Sequence, residues 1–247
     1  AGRIAEEFQK KGITAEEKAD ESPVTAADRA CEALLVEGLQ KAFPGDGFLG
    51  EEGANRATGN GRRWIIDPID GTRDFVRGIP LWSVLVGLEE GGQVVAGVAC
   101  CPGQRVVAWA SKGGGTWLNG ERVHVSGKPD VRNAVLSFNG FNKVGVDGFS
   151  DRLLPWVRKF GAVRGFGGSF DAILLAAGRA DVWIEPNAQP WDLAALKILV
   201  EEAGGVFGSF TGANSIYDGN AWACTPGLKT YVNALVRAAE SGISEVK

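Results

Sequence analysis

The spacing of apolar residues changes period along the chain, and each change marks a different kind of element. Residues 1–8 begin in helical register, with Ile4 and Phe8 on one face. Thr25-Ala26-Ala27-Asp28 has the form of a capping box and predicts a helix running to about Ala42. Cys31, Leu35 and Leu39 share its apolar face, and Phe43-Pro44-Gly45 stops it. Phe48-Leu49-Gly50 reads as a short strand that delivers Glu51 and Glu52. A polar loop with Asn60-Gly61 leads into a second strand through Trp64-Ile65-Ile66. From Leu81 to about Phe138 the pattern is strand-like, and an antiparallel meander is expected. Within it, Asn119-Gly120 is a hairpin signal, because Asn-Gly suits a type I′ turn. After Val146 helix and strand patterns alternate, with helices over 153–160, 170–177, 191–203 and 228–239. Strands are predicted over 162–164, 181–185 and 221–224. Two sheets with helical layers, sharing one interface, fit this order.

Composition narrows the class. At 247 residues the chain can bury a large core, as one unit or two closely packed halves. The hydrophobic share of 45% and charged share of 23% are ordinary for a globular enzyme. A net charge of −4 with no basic block argues against a nucleic-acid partner. Apolar runs such as 94–101, broken by Gly97, fall far short of the ~18 residues a spanning helix needs, so no membrane partner is expected. No leader is visible and a cytoplasmic location is expected, although the first residue is Ala1, and a preceding segment is expected too. Cys31, Cys100, Cys101 and Cys224 lack CxxC spacing and read as free thiols in a reducing compartment. The single histidine, His124, reads as a strand residue. A zinc site or a Ser-His-Asp triad needs more than this, so chemistry must run on carboxylates, hydroxyls and metal ions.

The candidate chemistry concentrates in Asp67-Pro68-Ile69-Asp70-Gly71-Thr72. Pro68 lacks a backbone donor and is expected to end the strand ladder, so both acids project from a sheet rim. Gly71-Thr72 then opens a helix whose free N–H groups favour an anion. Carboxylates beside an anion site require cations between them. The motif therefore reads as a divalent-metal site holding a phosphate. Turn and cap roles are the plain alternative for such aspartates. Glu51 and Glu52 read either as a solvated pair or, if their strand neighbours the Trp64 strand, as acids at the same rim. Asp192 in Pro190-Trp191-Asp192 opens a helix and suits the macrodipole there. Asp28 has its capping-box role, and a capping acid can also hold a threonine hydroxyl. Gly113-Gly114-Gly115 lacks what a P-loop requires. The loop Gly165-Phe166-Gly167-Gly168-Ser169 lacks the last glycine of a dinucleotide fingerprint, but suits close backbone approach to a ligand.

Together these segments resemble the inositol monophosphatase family of metal-dependent phosphomonoesterases. The matching stretches are Lys18 to Asp28, Gly50-Glu51-Glu52, Trp64 to Phe75, Pro190 to Ala195 and Glu201 to Gly205, in family order over nearly the whole chain. The resemblance implies an α/β fold, a layered αβαβα sandwich. Its N-terminal half, 1–140, would hold the antiparallel sheet and most metal ligands, and its C-terminal half, 141–247, would hold Asp192 and the substrate side. It also implies a homodimer, Mg²⁺ as cofactor with Mn²⁺ as a substitute, and a small phosphate ester as substrate. Carried over by position, Glu51, Asp67 and the Ile69 carbonyl would hold one ion, and Asp67, Asp70 and Asp192 a second. Gly71 and Thr72 would bind phosphate, while Glu51, Thr72 and Asp28 would serve the attacking water. Hard oxygen ligands suit Mg²⁺, which lowers the pKa of bound water and stabilises a leaving alkoxide.

Within the family, Arg164 to Phe170, Trp183 to Pro186 and the pattern from Asp218 to Leu228 look most like the histidinol-phosphatase branch. Many members of that branch carry an aspartate near Gly168, where this chain has glycine. Arg164, Gly167, Gly168, Ser169, Glu185, Asp70 and Asp192 would face the substrate, with Glu185 toward its alcohol part. The resulting expectation is a Mg²⁺-dependent phosphomonoesterase acting on histidinol phosphate, with inositol 1-phosphate or a sugar phosphate such as fructose 1,6-bisphosphate as alternatives. A non-catalytic metal- or phosphate-binding regulator on the same fold is the rival from another class.

Overall fold

The computed structural model describes residues 1–12, 15–17, 23–127, 130–138 and 150–236. Helix α1 (Gly2–Lys11) precedes a small antiparallel pair, β1 (Ala15–Glu17) and β2 (Pro23–Thr25), and helix α2 (Ala26–Ala42). Thr25 Oγ1 accepts from the Ala27 and Asp28 N–H groups, and Asp28 accepts from the Thr25 N–H, so the capping box is closed. The predicted residues 18–22 of the family match lie outside the described residues, as does the end of the closing helix beyond Val236.

The first sheet contains β3 (Gly47–Gly50), β4 (Asn55–Arg56), β5 (Arg62–Asp70), β6 (Ser83–Glu90), β7 (Gln93–Cys101), β8 (Val106–Ser111), β9 (Gly115–Leu118) and β10 (Glu121–Val123). Their order is β10-β9-β8-β7-β6-β5-β3-β4, antiparallel except for the parallel β3–β5 pair. A short helix, α3 (Thr72–Val76), follows β5. The second half of the chain runs β11 (Val135–Phe138), α4 (Ser150–Val157), β12 (Ala162–Arg164), α5 (Gly168–Ala176), β13 (Val182–Glu185), α6 (Pro190–Glu202), β14 (Val206–Gly208), β15 (Ala221–Cys224) and α7 (Lys229–Val236). Its sheet has the order β12-β11-β13-β15-β14, with β11 parallel to both neighbours.

Side-chain alternation assembles the layers. On β13, Val182 and Ile184 face one way, into a core with Trp156, Val232 and Leu235, while Trp183 faces the other. On β15, Trp222 and Cys224 join the former core, and Ala221 and Ala223 the latter. Both faces are buried, which is why these strands read as continuous apolar runs. The central core packs α5 and α6 between the two sheets, against Ile65, Leu85, Ala99 and Ala108 of the first. The outer face of the first sheet packs Ile69, Phe75, Trp82 and Val84 against Ala5, Ala27 and Cys31 of α1 and α2. The result is the expected αβαβα sandwich, and all four cysteines are free.

Some expectations change. The meander ends at β10: Val135–Phe138 looks like another of its strands but pairs in parallel with β12 and β13 of the second sheet. Pro68 does not end its ladder. Strand β5 continues to Asp70 with a register shift, Asp67 opposing Leu85 and Asp70 opposing Ser83. A bulge tolerates the missing N–H, because its extra residue is unpaired anyway. His124 lies one residue beyond β10 and is exposed. The Asn119-Gly120 turn is as expected, with φ of 51° and 88°, the positive pair a type I′ turn requires.

Helix α6 lies unusually close to the first sheet. Gly87 and Gly97 are register partners on β6 and β7. A Cβ at Gly97 would stand 2.6 Å from Ile198 Cγ2 and 2.9 Å from the Ala195 Cα. Gly97→Ala should therefore overpack this contact at a cost of about 1–3 kcal/mol. Thermal denaturation should show a melting temperature lower by several degrees, and an unchanged curve would mean that the helix does not need this approach.

Candidate active site

The β5 bulge decides which way the acids point. In a regular strand, residues three apart face opposite sides. The extra residue between Asp67 and Asp70 brings both carboxylates to one side of the rim. Asp67 is buried, and its Oδ1 accepts the Ile69 N–H at 3.0 Å across Pro68. The turn role expected as the plain alternative for this residue is thus realised. Gly71 follows at φ 86°, and a Cβ there would lie 3.0 Å from the Leu81 carbonyl oxygen, so this turn requires glycine. Thr72 begins α3 and is buried. Its Oγ1 is 3.1 Å from the Ile69 carbonyl oxygen and 3.4 Å from Asp28 Oδ1. Asp28 Oδ2 meanwhile accepts from the Thr25 hydroxyl and N–H.

Two neighbouring elements complete the acidic group. Parallel pairing of β3 with β5 places Glu51, just past Gly50, beside Asp67, as the adjacent-strand reading requires. Asp192 stands in the first turn of α6, where Asp192 Oδ2 accepts the Gln189 N–H at 2.7 Å. Asp67, Asp70 and Asp192 each present an oxygen, all within 4.8 Å of one another.

Asp70 and Asp192 of this group line a cavity of about 200 Å³. Gly71, Gly167, Gly168 and Ser169 line it, with Trp183, Glu185 and Asn187. The Ser169 N–H donates to Asp70 Oδ2 at 3.4 Å, and the Ser169 hydroxyl pairs with that of Ser83 at 2.8 Å. Arg164 is not part of this group: it is exposed, and its Nη1 donates to the Val163 carbonyl. Other contributors escaped sequence reading. Ser83 looks like an ordinary strand residue. Asp171 is fully buried in α5, and its carboxylate accepts the Phe166 and Gly167 N–H groups at 3.1 and 3.3 Å, which shapes the glycine loop. Glu32 sits on the buried face of α2, beside Cys31. An acid on an apolar helix face was the available signal for it.

Electrostatics set what this group can hold. Burial, then the charges of Glu51, Asp70 and Asp192, raise the Asp67 carboxyl well above its usual range. Burial also raises Asp70, against hydrogen bonds from Ser169. Burial and the Asp70 charge push Asp192 up to about 7. Glu185 is raised by burial and by the charges of Asp70 and Asp192. Among the described residues, no lysine, arginine or histidine lines the cavity. A buried all-oxygen anionic donor set of this kind fits a hard divalent ion. By position, Asp67, Asp70 and Asp192 are the residues that would hold it, with Glu51 adjoining.

Comparison with known proteins gives the same picture. The model of the inositol monophosphatase family matches residues 1–241. A histidinol-phosphatase of Chlorobaculum parvum is 38% identical over 96% of this chain and 90% of its own length. An inositol-1-monophosphatase of Mesorhizobium japonicum is 34% identical over 90% of this chain and 84% of its own. Among solved structures, the inositol monophosphatase (IMPase) of Thermotoga maritima superposes with a TM-score of 0.87 at 29% identity, over 98% of this chain and 94% of that one.

The raised acids make stability depend on pH. Their folded pKa values lie above the unfolded value of about 4, so between the two the folded protein binds more protons than the unfolded chain. Their stabilising contribution is therefore complete below about pH 4 and is lost as pH rises through the folded value, about 7 for Asp192. Metal-free protein in EDTA should melt at a lower temperature near pH 8 than near pH 5. Asp192→Asn should flatten that slope, and parallel slopes for the two proteins would reject the crowding.

Proposed function

This chain belongs to the inositol monophosphatase family of metal-dependent phosphomonoesterases, and from that premise we propose that it hydrolyses histidinol phosphate with Mg²⁺ as its ion. The observation that carries the substrate choice is the charge of the cavity. Asp74 and Glu185 line it in addition to Asp70 and Asp192, and among the described residues no cationic side chain does. Bound ions would offset Asp70 and Asp192, which would leave Glu185 to face the leaving alcohol. An alcohol bearing an ammonium group suits that surface, and the similarity to histidinol-phosphatases supports the reading.

In this assignment Glu51, Asp67 and the Ile69 carbonyl would hold one ion, and Asp67, Asp70 and Asp192 would hold another. Such ions neutralise a phosphate dianion, acidify water and stabilise a leaving alkoxide. The chain's own groups position the reactants. The Gly71 and Thr72 N–H groups hold the phosphate where α3 begins. A water against the Thr72 hydroxyl can pass its proton through Oγ1 to Asp28 Oδ1, 3.4 Å away. Burial raises the Asp28 carboxyl, which makes it a better acceptor. The glycine loop leaves room for the alcohol. A Cβ on Gly168 would lie 3.6 Å from Asp70 Oδ2 and 3.9 Å from Glu185 Oε2.

That open wall also favours a second reading, inositol 1-phosphate, because no side chain of residue 168 meets the substrate. Fructose 1,6-bisphosphate belongs to the same test. A non-catalytic regulator would be expected to lack a ligand, yet Glu51, Asp67, Asp70, Thr72 and Asp192 are all present.

The deciding experiment measures phosphate release from histidinol phosphate, inositol 1-phosphate and fructose 1,6-bisphosphate, with Mg²⁺ and with excess EDTA. Histidinol phosphate should give the highest kcat/KM, and all activity should vanish on chelation and return with Mg²⁺ or Mn²⁺. Full activity in EDTA would sink the mechanism, and a preference for inositol 1-phosphate would move the assignment. Glu185→Gln sharpens the choice. Loss of a charge-assisted bond of ~1–3 kcal/mol should lower kcat/KM for histidinol phosphate about ten- to a hundredfold. Inositol 1-phosphate should change less, and an unaltered ratio of the two efficiencies would reject a cation-selecting Glu185.

The family resemblance also supports a homodimer. Sedimentation equilibrium should then give twice the 26.0 kDa chain mass. The mass of a single chain would reject it.

A further inference from the structure

Glu51 follows a short strand and begins a tight turn, so something must fix its carboxylate against Asp67. The candidate lies on α2. Glu32 is only 6% exposed, and both of its carboxylate oxygens are used by that turn. Oε2 accepts the Glu52 N–H at 2.9 Å, and Oε1 accepts the Ala54 N–H at 2.8 Å. The turn is also tied at its base, where the Gly50 N–H donates to the Ala54 carbonyl at 2.6 Å and the Glu51 N–H to the Ile66 carbonyl at 3.1 Å. Gly50 makes the close approach possible, since a Cβ there would lie 2.2 Å from Glu32 Oε2 and 2.9 Å from the Ala54 Cβ.

Glu32 follows Asp28 by one helical turn, so the two acids share a face of α2. Asp28 stands beside Thr72, and Glu32 clasps the turn that carries Glu51. One helix face thereby braces two arms of the site that come from different strands. We propose that Glu32 is a positioning residue: through the Glu52 and Ala54 N–H groups it holds the Glu51 carboxylate in place and so sets the protein's affinity for its divalent ion. This rests on the reading of Glu51 as a ligand given above.

A carboxylate that only stabilised the fold would lower the melting temperature and leave metal affinity unchanged. The test is therefore calorimetric titration of Mg²⁺ into metal-free protein, alongside melting curves and Mg²⁺-dependent kinetics. Glu32→Gln keeps the shape but leaves one of the two N–H groups facing an amide NH₂. Its Mg²⁺ dissociation constant should rise about tenfold or more, as for other partners that orient metal ligands. Its kcat at saturating Mg²⁺ should recover most of the wild-type value. Gly50→Ala attacks the same contact from the other side by displacing the Glu32 carboxylate, and should weaken Mg²⁺ binding likewise. It carries the test if Glu32→Gln does not fold. Asp181→Asn is the control: this buried acid accepts the Val135 N–H at 2.7 Å in the second sheet, so the variant should melt lower but bind Mg²⁺ as the wild type does. A wild-type dissociation constant in folded Glu32→Gln or Gly50→Ala overturns the proposal. Failure of the wild type itself to bind Mg²⁺ would overturn the metal reading of the site, and the brace with it.

Discussion

Carboxylates repel one another, and burial makes the repulsion worse because little water screens it. Asp67, Asp70 and Asp192 nonetheless present oxygens within 4.8 Å of one another, with Glu51 beside them. Such a group persists only if each acid is fixed to an element that cannot retreat. Asp67 and Asp70 are locked into the bulged end of a strand that pairs with β6 as far as Asp70 and with β3 as far as Ile66. Asp192 is held by the Gln189 N–H in the first turn of α6, and that helix is seated directly on Gly87 and Gly97. Folding energy from the cores is spent to keep like charges together, which is reasonable only where a cation gives a return.

The sandwich supplies that rigidity by lending each acid to a different layer. Helix α2 covers the outer face of the first sheet, and Asp28 reaches Thr72 from it. Helix α6 fills the space between the sheets and brings Asp192 to the rim of β5. Strand β13 of the second sheet ends in Glu185, and α5 begins with the glycine loop. The Ser83–Ser169 hydroxyl pair ties that loop to β6 beside Asp70. The site is therefore a junction of layers, and its geometry depends on how they stack.

What the sequence revealed followed from how local each signal is. The capping box at Thr25, the Asn119-Gly120 turn and the existence of the strands flanking the site are each decided within a few residues, and the structure has all of them. The metal-ligand candidates were legible for the same reason, since acids at strand ends and helix starts announce themselves. Signals that depend on distant partners were harder. Val135–Phe138 has a strand pattern, but nothing in it says which sheet it joins. Pro68 lacks its N–H in any context, yet whether it ends a strand or occupies a bulge depends on β6. Glu32, Ser83 and Asp171 act through backbone groups far away in sequence or through a neighbouring loop. Only the apolar company of Glu32 on α2 marked it as unusual.

The proposed phosphate end and the proposed alcohol end of the cavity differ in the same way. The phosphate end is encoded in a contiguous stretch, from Asp67 to Thr72, whose bulge, glycine turn and short helix assemble almost by themselves. The alcohol end combines a strand terminus, a glycine loop and a helix start from separate parts of the second half. Asp171 helps to fix its shape without lining it, by drawing the Phe166 and Gly167 N–H groups onto one buried carboxylate. Burial pushes that carboxyl up to about 6, against the pull of those amides. The loop is thus set by an internal acid and opened by the absence of a side chain at Gly168. On the proposed assignment, changes behind the wall would reshape the alcohol pocket while every residue from Asp67 to Thr72 stays the same, so one phosphate-handling motif could serve different alcohols.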